Sequence, residues 1–166
     1  MWPRRPPRAV SFEYRGCHRY FVTAVTRERA RSFSNIDFVS QVASQIAPFF
    51  EKRGFAVTAY CLMPDHVHLL LEGTTDDADL REAVRVWKQV VGYAWKSRMS
   101  VPLWQTGFYD RVLRERDDTR AVVRYLLNNP VRAGLVRAAA DYQWSGSSRY
   151  TFAELAEHAG DWAPSW

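Results

Sequence analysis

Cysteine and long apolar runs are scarce in this sequence of 166 residues. Only Cys17 and Cys61 are present, too few for a disulfide framework or a zinc knuckle, and this scarcity is typical of a reduced compartment. No apolar run approaches the roughly 20 residues that a membrane span needs, and residues 1–10 hold arginines but no apolar segment of signal-peptide length. The sequence therefore predicts a cytoplasmic protein that has no membrane partner.

Lysine is also scarce, since only three of the 23 basic residues are lysines and the others are arginines. Arginine forms forked contacts with phosphates and bases, which a lysine ammonium does not form. The net charge is +5, but residues 151–166 contain three acidic and no basic residues, so the positive charge is concentrated in residues 1–150. This distribution predicts a polyanionic partner for the basic part. The acidic tail, residues 151–166, is either a solvated segment or one that folds over the basic surface and restrains activity.

The length and a hydrophobic fraction of 47% fit one folded domain over residues 1–166, in which residues 1–10 form a basic N-terminal arm. Apolar periodicity predicts the elements of this domain. They are, in chain order, a strand over 17–26, a helix from 34 or 35 to 54 that Pro48 loosens, strands over 55–63 and 66–72, a helix over 79–99, a strand-like segment within 101–113, and a helix that begins at 117 or 118 and stops at Pro130. This order is the split βαβ arrangement of an α+β, ferredoxin-like fold, with an antiparallel sheet, helices on one face and the third helix as a C-terminal addition. The other face, or one end of it, is then free for binding.

Two histidines on the third predicted strand form the most informative motif. His66 and His68 are separated by one residue and therefore point to the same side of the strand. The opposite side, formed by Val67, Leu69 and Leu71, is wholly apolar and is predicted to be the buried one, so that both imidazoles face a groove. Two adjacent imidazoles are half of a site for a divalent metal. Without further ligands, the two histidines are ordinary polar positions on a half-buried strand.

Helix three supplies the groups that a two-histidine metal site lacks. Tyr125 and Asn129 are four residues apart and project from one helix face. The amide oxygen of Asn129 is a candidate third ligand, and oxygen with two imidazoles suits Mg²⁺ or Mn²⁺. The phenol of Tyr125, one turn away, is then a candidate nucleophile toward phosphate, with Tyr109 as the competing tyrosine. The structural alternative is that Tyr125 is an ordinary helix aromatic and Asn129 a cap beside Pro130.

Basic and aromatic residues near these motifs are candidates for contact with nucleic acid. The candidates for phosphate contact are Lys88, Arg111, Arg114 and Arg124, and those for base stacking are Trp104 and Phe108. Alternatively, each basic residue is a solvated surface charge and each aromatic residue is part of the core. Trp144 is expected to anchor the chain after helix three, and Cys61 and Met63 are expected to pack within their strand.

Four segments together resemble one protein family. They are AYCLMPDHVHLLLEG, LWQTGFYDRVLRERDD, VVRYLLNNPVRAGLV and DYQWSGSS. With these segments the chain resembles, over residues 10–150, the REP-associated tyrosine transposases of the HUH (Y1) single-stranded-DNA transposases, although YRGCHRYFVTAVTRER follows the family only loosely. The resemblance implies a ferredoxin-like catalytic domain, a divalent metal on His66 and His68, and Tyr125 as the nucleophile. It further implies cleavage and joining of single-stranded DNA at hairpin-flanked repeats through a covalent 5′-phosphotyrosine, in a bacterial, nucleoid-associated protein.

Other function classes stay open at this point. The leading alternative is a non-catalytic regulator of the same fold that binds hairpin DNA or RNA. A metal phosphohydrolase that activates water would need further clustered carboxylates, and a zinc deaminase would need a Cys-x-x-Cys pair. A phosphoesterase with two histidine motifs would need a second such strand, which His18 and His158 do not supply. The chain is expected to be a monomer or a homodimer, with the Tyr125 helix completing the site of its own subunit or of the other one.

Overall fold

The computed structural model describes residues 12–115, 117 and 119–159. The basic arm, residues 160–166 of the acidic tail, and Asp118, one of the two predicted first residues of helix three, lie outside these residues. The elements are β1 (Arg19–Val25), α1 (Ile36–Glu51), β2 (Phe55–Met63), β3 (His66–Gly73), α2 (Leu80–Met99), β4 (Tyr109–Leu113), α3 (Thr119–Arg132), β5 (Ser145–Gly146) and α4 (Phe152–Ala159). No helix in this part of the chain is both long and apolar enough to cross a membrane.

The five strands form one antiparallel sheet in the order β4-β1-β3-β2-β5. The first four strands have the order that a split βαβ arrangement gives, so the predicted α+β architecture with an antiparallel sheet is confirmed. The turn between β2 and β3 contains Pro64 and Asp65, also as predicted. The edge strand β5 was not predicted, because two residues are too few to show an alternation. Gly146 in β5 lies so close to the ring of Tyr60 that a Cβ atom would be 2.7 Å from the tyrosine hydroxyl.

The closed face of the sheet is the face that α1 and α2 cover. Asn35 caps α1, because its Oδ1 accepts the N–H of Phe38 at 3.0 Å, and Asp79 caps α2 by accepting the N–H of Glu82 at 3.0 Å. Both caps agree with the predicted starts of these helices. Side chains of the sheet and of both helices form one buried apolar core, which includes Val22, Val57, Leu69, Leu71, Phe38, Ile46, Phe50, Val84 and Trp87.

The open face of the sheet is the opposite face, which α3 and α4 cover in part. Leu126 and Leu127 of α3 pack with Cys61 and Leu70 of the sheet and with Leu155 of α4 in a second buried cluster. The prediction of helices on one face only is therefore wrong, although an open cavity leaves part of the open face free, as the alternative of one free end allows. The reason is that the central strands carry apolar side chains on both faces, and both must be removed from water. Half of the predicted acidic tail is thus the packed helix α4.

The chain after α3 returns to the edge of the sheet. Trp144 is half-buried and packs against both apolar clusters, while its carbonyl accepts the N–H of Leu62 at 2.9 Å. The Tyr142 hydroxyl donates to the carbonyl of Leu62 at 2.6 Å. The expected anchoring role of Trp144 and the packing roles of Cys61 and Met63 are confirmed.

Two prolines lie inside helices instead of ending them. Pro48 lies within α1, which continues to Glu51, and Pro130 lies within α3, which continues to Arg132. The prediction that Pro130 stops the third helix is therefore wrong. Proline lacks the N–H that would reach the carbonyl four residues earlier. The side-chain amide of Asn129 donates to that carbonyl, of Leu126, at 3.3 Å and to the carbonyl of Tyr125 at 2.8 Å.

Candidate active site between the sheet and the third helix

The strand register places the two histidines on the open face. Thr23 of β1 pairs with His68 on one side and with Tyr109 of β4 on the other, so these three side chains share a face with His66. The common side of the two histidines is thus as predicted, but their exposure is not. His68 is fully buried and His66 is only 9% exposed. The prediction of an open groove is wrong for His68, because α3 lies over it with the Tyr125 ring 6.1 Å from its own, whereas His66 lines an open cavity.

The two imidazoles are held by a chain of polar contacts. Their Nε2 atoms lie 3.2 Å apart. His66 donates from Nδ1 to Oδ1 of Asp65 at 2.6 Å, and the other oxygen of Asp65 accepts from Arg29 at 3.1 Å. His68 Nδ1 and the hydroxyl of Thr23 are hydrogen-bonded at 2.9 Å. Each ring therefore has its Nδ1 fixed by a partner and its Nε2 directed at the other ring.

Burial keeps both imidazoles neutral. Removal from water lowers the pKa of His66, although the Asp65 carboxylate acts in the opposite direction. Removal from water, with a smaller repulsion from His66, lowers the pKa of His68 well below its usual range. For Asp65, burial acts to raise the pKa, but the contacts with His66 and Arg29 outweigh it and lower the pKa. The result is an ionised carboxylate beside two neutral rings, which is the protonation state in which histidine binds metals.

Tyr125 projects from α3 onto this pair. Its ring lies edge-on to His68 at 6.1 Å and to Phe21 at 6.0 Å between centroids. The guanidinium of Arg132 lies over the Tyr125 ring at 5.2 Å. Arg132, which was not predicted as a site residue, therefore places a positive charge against the ring of the candidate nucleophile.

An open cavity of about 800 Å³ lies between the sheet and α3. Its lining contains five residues that the sequence singled out, namely His66, Tyr109, Arg111, Tyr125 and Asn129. The remaining predicted ligand, His68, lies directly beneath, in contact with His66 and Tyr125. The structure therefore brings together both predicted ligand types and both candidate tyrosines.

The donor set at the base of this cavity fits a divalent ion. Two Nε2 atoms 3.2 Å apart have the separation of neighbouring ligands that each lie about 2.0–2.1 Å from one ion. The Nδ1 atoms of the two rings form hydrogen bonds, one with a carboxylate and the other with a hydroxyl. Metal-binding histidines usually have such a partner on the ring nitrogen that does not bind the metal. Residues 12–115, 117 and 119–159 contain no group of three His, Cys, Asp or Glu side chains that could hold a metal. Among these residues, a further ligand would be of another type, and Asn129 in the cavity wall has an amide oxygen.

Three of the predicted DNA contacts lie away from this cavity. Lys88 donates from Nζ to the carbonyls of Gln105, at 2.9 Å, and Gly107, and burial lowers the pKa of Lys88 to about 8. Trp104 donates to the carbonyl of Lys88 at 2.9 Å and, like Phe108, packs against the core of the closed face. In the structure, Lys88 forms hydrogen bonds, and Trp104 and Phe108 pack against the core. Contact of these three residues with DNA stays a prediction.

The predicted arginines differ in setting. Arg111 lines the cavity and donates to Oδ1 of Asp117 at 2.9 Å, while the main-chain N–H of Arg114 donates to the other oxygen at 2.7 Å. The side chain of Arg114 is exposed, and Arg124 is half-buried on α3. Asp117 thus organises the turn between β4 and α3. Contact of these arginines with phosphate stays a prediction.

Two hydrogen-bond partners of the histidines were not predicted from the sequence. Asp65 directly precedes His66, so its proximity could have been suspected from the sequence. Thr23 is 45 residues from His68 and reaches it only through the pairing of β1 with β3, which periodicity does not define.

Comparisons with known proteins agree with this architecture. The family model for IS200-like transposases matches residues 15–129. A Haemophilus influenzae protein assigned to the REP-associated tyrosine transposases is 27% identical over 155 residues, which covers 86% of each chain. The REP-associated tyrosine transposase of Escherichia coli strain K12 is 28% identical over 93 residues, covering 56% of this chain and 54% of that one.

A solved structure has the same fold. It is that of a REP-associated tyrosine transposase bound to a REP hairpin, with a TM-score of 0.70 and 22% identity over 99% of this chain and 93% of that chain. The family match includes both histidines, Tyr125 and Asn129. Two of the relatives that the chain matches are named as REP-associated tyrosine transposases, and the chain itself belongs to the IS200-like transposase family.

Proposed function

We propose that this protein is a metal-dependent, single-stranded DNA endonuclease and strand transferase of the HUH type that acts at hairpin-flanked, REP-like repeats. The observation that carries the proposal is the meeting of His66, His68 and Tyr125 at one cavity, two from β3 and one from α3. The relative of known structure is bound to a REP hairpin, which supports hairpin DNA as the ligand.

The metal would be held by Nε2 of His66 and of His68 and by the amide oxygen of Asn129. A neutral amide and two neutral imidazoles suit Mg²⁺ or Mn²⁺. When bound there, a divalent ion polarises the scissile phosphate and offsets its charge. The amide nitrogen of Asn129 is used for the carbonyls of Tyr125 and Leu126, so the oxygen is the atom of this side chain left to act as a ligand.

Tyr125 is the nucleophile in this proposal. A bond forms between its oxygen and phosphorus while the bond from phosphorus to the 3′ oxygen of the preceding nucleotide breaks. The phenol loses its proton and the departing oxygen gains one, so the products are a 5′-phosphotyrosine and a free 3′ hydroxyl. Attack by a 3′ hydroxyl reverses the step and joins strands without an outside energy source. Tyr109, on the opposite wall of the cavity, would position the DNA.

The phosphates of the DNA would run along the basic side of the cavity. Arg111 lines the cavity, and Arg132 lies on the Tyr125 ring, so both are within reach of a strand that enters it. Arg114 and Arg124 extend this surface along the turn and α3. A cytoplasmic, nucleoid-associated location in a bacterium belongs to the same proposal, as does a monomer that completes its own site through α3.

The test is a cleavage assay with a hairpin-bearing single-stranded oligonucleotide labelled at its 3′ end, in Mg²⁺ or Mn²⁺. The strand that carries the 5′ phosphate should remain on the protein and migrate as a covalent band on a denaturing gel. Tyr125→Phe should abolish this band, whereas the matched variant Tyr109→Phe should retain it.

Two outcomes would contradict the proposal. Cleavage without a covalent band would indicate a hydrolase that uses water. Binding without cleavage, over several hairpins and both metals, would indicate the non-catalytic regulator.

A further inference from the structure

A relay of hydrogen bonds through Arg29 and Asp65 links an exposed loop to Nδ1 of His66. Arg29 donates to Oδ2 of Asp65 at 3.1 Å, and Oδ1 of Asp65 accepts from His66 Nδ1 at 2.6 Å. The carboxylate is therefore shared between a guanidinium on one side and an imidazole on the other. The side chains of His66 and Asp65 are only 11% and 24% exposed, so their contact is largely shielded from water, whereas Arg29 is 49% exposed and reaches Asp65 from the surface.

The loop that carries Arg29 holds an unfavourable backbone conformation. Glu28 has a φ of 55° and Arg29 a φ of 53°, two consecutive non-glycine residues in the left-handed region. Such conformations persist only where the surrounding structure imposes them. Here Thr26 fixes the loop to the turn before His66, because its N–H and its hydroxyl both donate to the carbonyl of Asp65, at 3.0 Å and 2.8 Å.

We propose that Arg29 and Asp65 are positioning residues that fix the tautomer of His66, with its proton on Nδ1 and its lone pair on Nε2, where the metal binds. The inference rests on the proposed function for its purpose, but the tautomer itself is a property of the metal-free protein. A carboxylate accepts and never donates, so Asp65 holds the proton on Nδ1. Arg29 only donates, and it therefore fixes which oxygen of Asp65 faces outward.

The second histidine differs in this respect. The partner of His68 is the hydroxyl of Thr23, which either donates or accepts and so fixes no tautomer. If the proton of His66 lies on Nδ1, the 3.2 Å contact between the two Nε2 atoms requires His68 to be the donor in the metal-free protein. To bind a metal, His68 must carry its proton on Nδ1 instead, and the Thr23 hydroxyl accepts it there. The relay thus fixes the tautomer of His66, whereas the tautomer of His68 changes when a metal binds.

The discriminating variant is Asp65→Asn. Arg29 requires an acceptor, so the amide oxygen stays with Arg29 and the amide NH₂ faces His66 Nδ1. That nitrogen must then accept, and the proton moves to Nε2, where it blocks the metal. The double variant, Asp65→Asn with Arg29→Ala, also lacks the guanidinium that donates to residue 65. The amide can then turn its oxygen toward His66, which restores the original tautomer. A merely structural role would make the double variant worse than the single one.

Two measurements follow the prediction. Long-range ¹H–¹⁵N NMR of the metal-free protein, with His66 assigned from His66→Gln, reports which ring nitrogen carries the proton. Titration with Mn²⁺ alone, followed by electron paramagnetic resonance, reports the metal affinity. We expect Nδ1–H in the wild type, Nε2–H with about 10- to 100-fold weaker Mn²⁺ binding in Asp65→Asn, and recovery of both in the double variant. Asp77→Asn, on the exposed turn before α2, is the matched control and should change neither.

Each failure has a separate meaning. A proton on Nε2 of His66 in the wild type, or one that stays on Nδ1 in Asp65→Asn, overturns the relay, as does a double variant that is no better than the single one. Absence of Mn²⁺ binding in the wild type, with the tautomers as expected, contradicts the metal-dependent function and leaves the relay supported.

Discussion

The two faces of the sheet are covered by helices in different ways. On the closed face, α1 and α2 bury a continuous apolar core that includes Trp87, Phe38 and Leu69. On the open face, α3 covers buried polar groups, among them His68 and Thr23, and leaves a cavity of about 800 Å³ beside them. The difference indicates that one face mainly stabilises the fold and that the other carries the chemistry. Changes on the closed face should reduce stability and spare the chemistry, whereas changes at the polar groups of the open face should impair metal binding or cleavage, with smaller effects on stability.

The largest expected effect on stability lies on the closed face. Trp87 is 1% exposed, so Trp87→Ala leaves a cavity and should lower the free energy of unfolding by about 3–5 kcal/mol. Denaturant unfolding measures this loss. The rate of hairpin cleavage per folded molecule, measured well below the transition, should not change. A variant that loses cleavage while it is still fully folded would show that the closed face also shapes the site.

Mild acid should lower the free energy of unfolding through a group on the open face. Groups on the closed face should not add to this loss. The unfolded chain binds protons at its histidines below pH 6.5, whereas burial lowers the pKa of His68 in the folded protein well below that value. The free energy of unfolding should therefore be highest above pH 6.5. It should fall as the pH drops below 6.5, by up to about 1.4 kcal/mol per pH unit for His68.

Unfolding by denaturant at pH 7.5, 6.5 and 5.5, in metal-free buffer, measures this dependence. His68→Gln removes the buried titrating ring and should flatten the profile. An equally steep profile in His68→Gln would assign the pH dependence to other groups.

The smallest expected effect separates two roles of Asn129. Asn129→Leu removes the donor to the carbonyl of Leu126 and should lower stability by about 1 kcal/mol, together with Mn²⁺ affinity. Pro130→Ala restores the main-chain N–H that this carbonyl lacks. The double variant Asn129→Leu with Pro130→Ala should therefore recover stability in denaturant unfolding but not Mn²⁺ affinity. Recovery of both would mean that Asn129 only supports the helix.

The sequence pattern predicted the closed face better than the open face. Helices with one apolar stripe, such as that from Leu80 to Trp95, specify both their limits and their buried side. The alternation of His66 and His68 also gave their common side correctly. Their burial could not be predicted, because it depends on how α3 crosses the sheet, and nothing local in residues 119–132 encodes this.

The C-terminal end of α3 could also not be predicted from the local sequence. Pro130 is a helix breaker by its backbone chemistry, but the side chain of Asn129 donates to the Leu126 carbonyl, which lacks the main-chain N–H of a proline. Likewise, Thr23 meets His68 only through strand register. The helix caps Asn35 and Asp79, which bond to N–H groups three residues along the chain, could be predicted from the sequence. Contacts that assemble the polar centre of the open face depend on tertiary structure.

The central claim is that Tyr125, on the open face, carries the covalent link to DNA. Mass spectrometry of the protein after reaction with hairpin DNA and Mn²⁺, followed by nuclease and trypsin digestion, tests it directly. Trypsin separates the two tyrosines, since Tyr125 lies in the peptide 125–132 and Tyr109 in the peptide 99–111. We predict a nucleotide phosphate on Tyr125 in the first peptide. A nucleotide on Tyr109, or a cleaved hairpin with both peptides unmodified, would contradict the account.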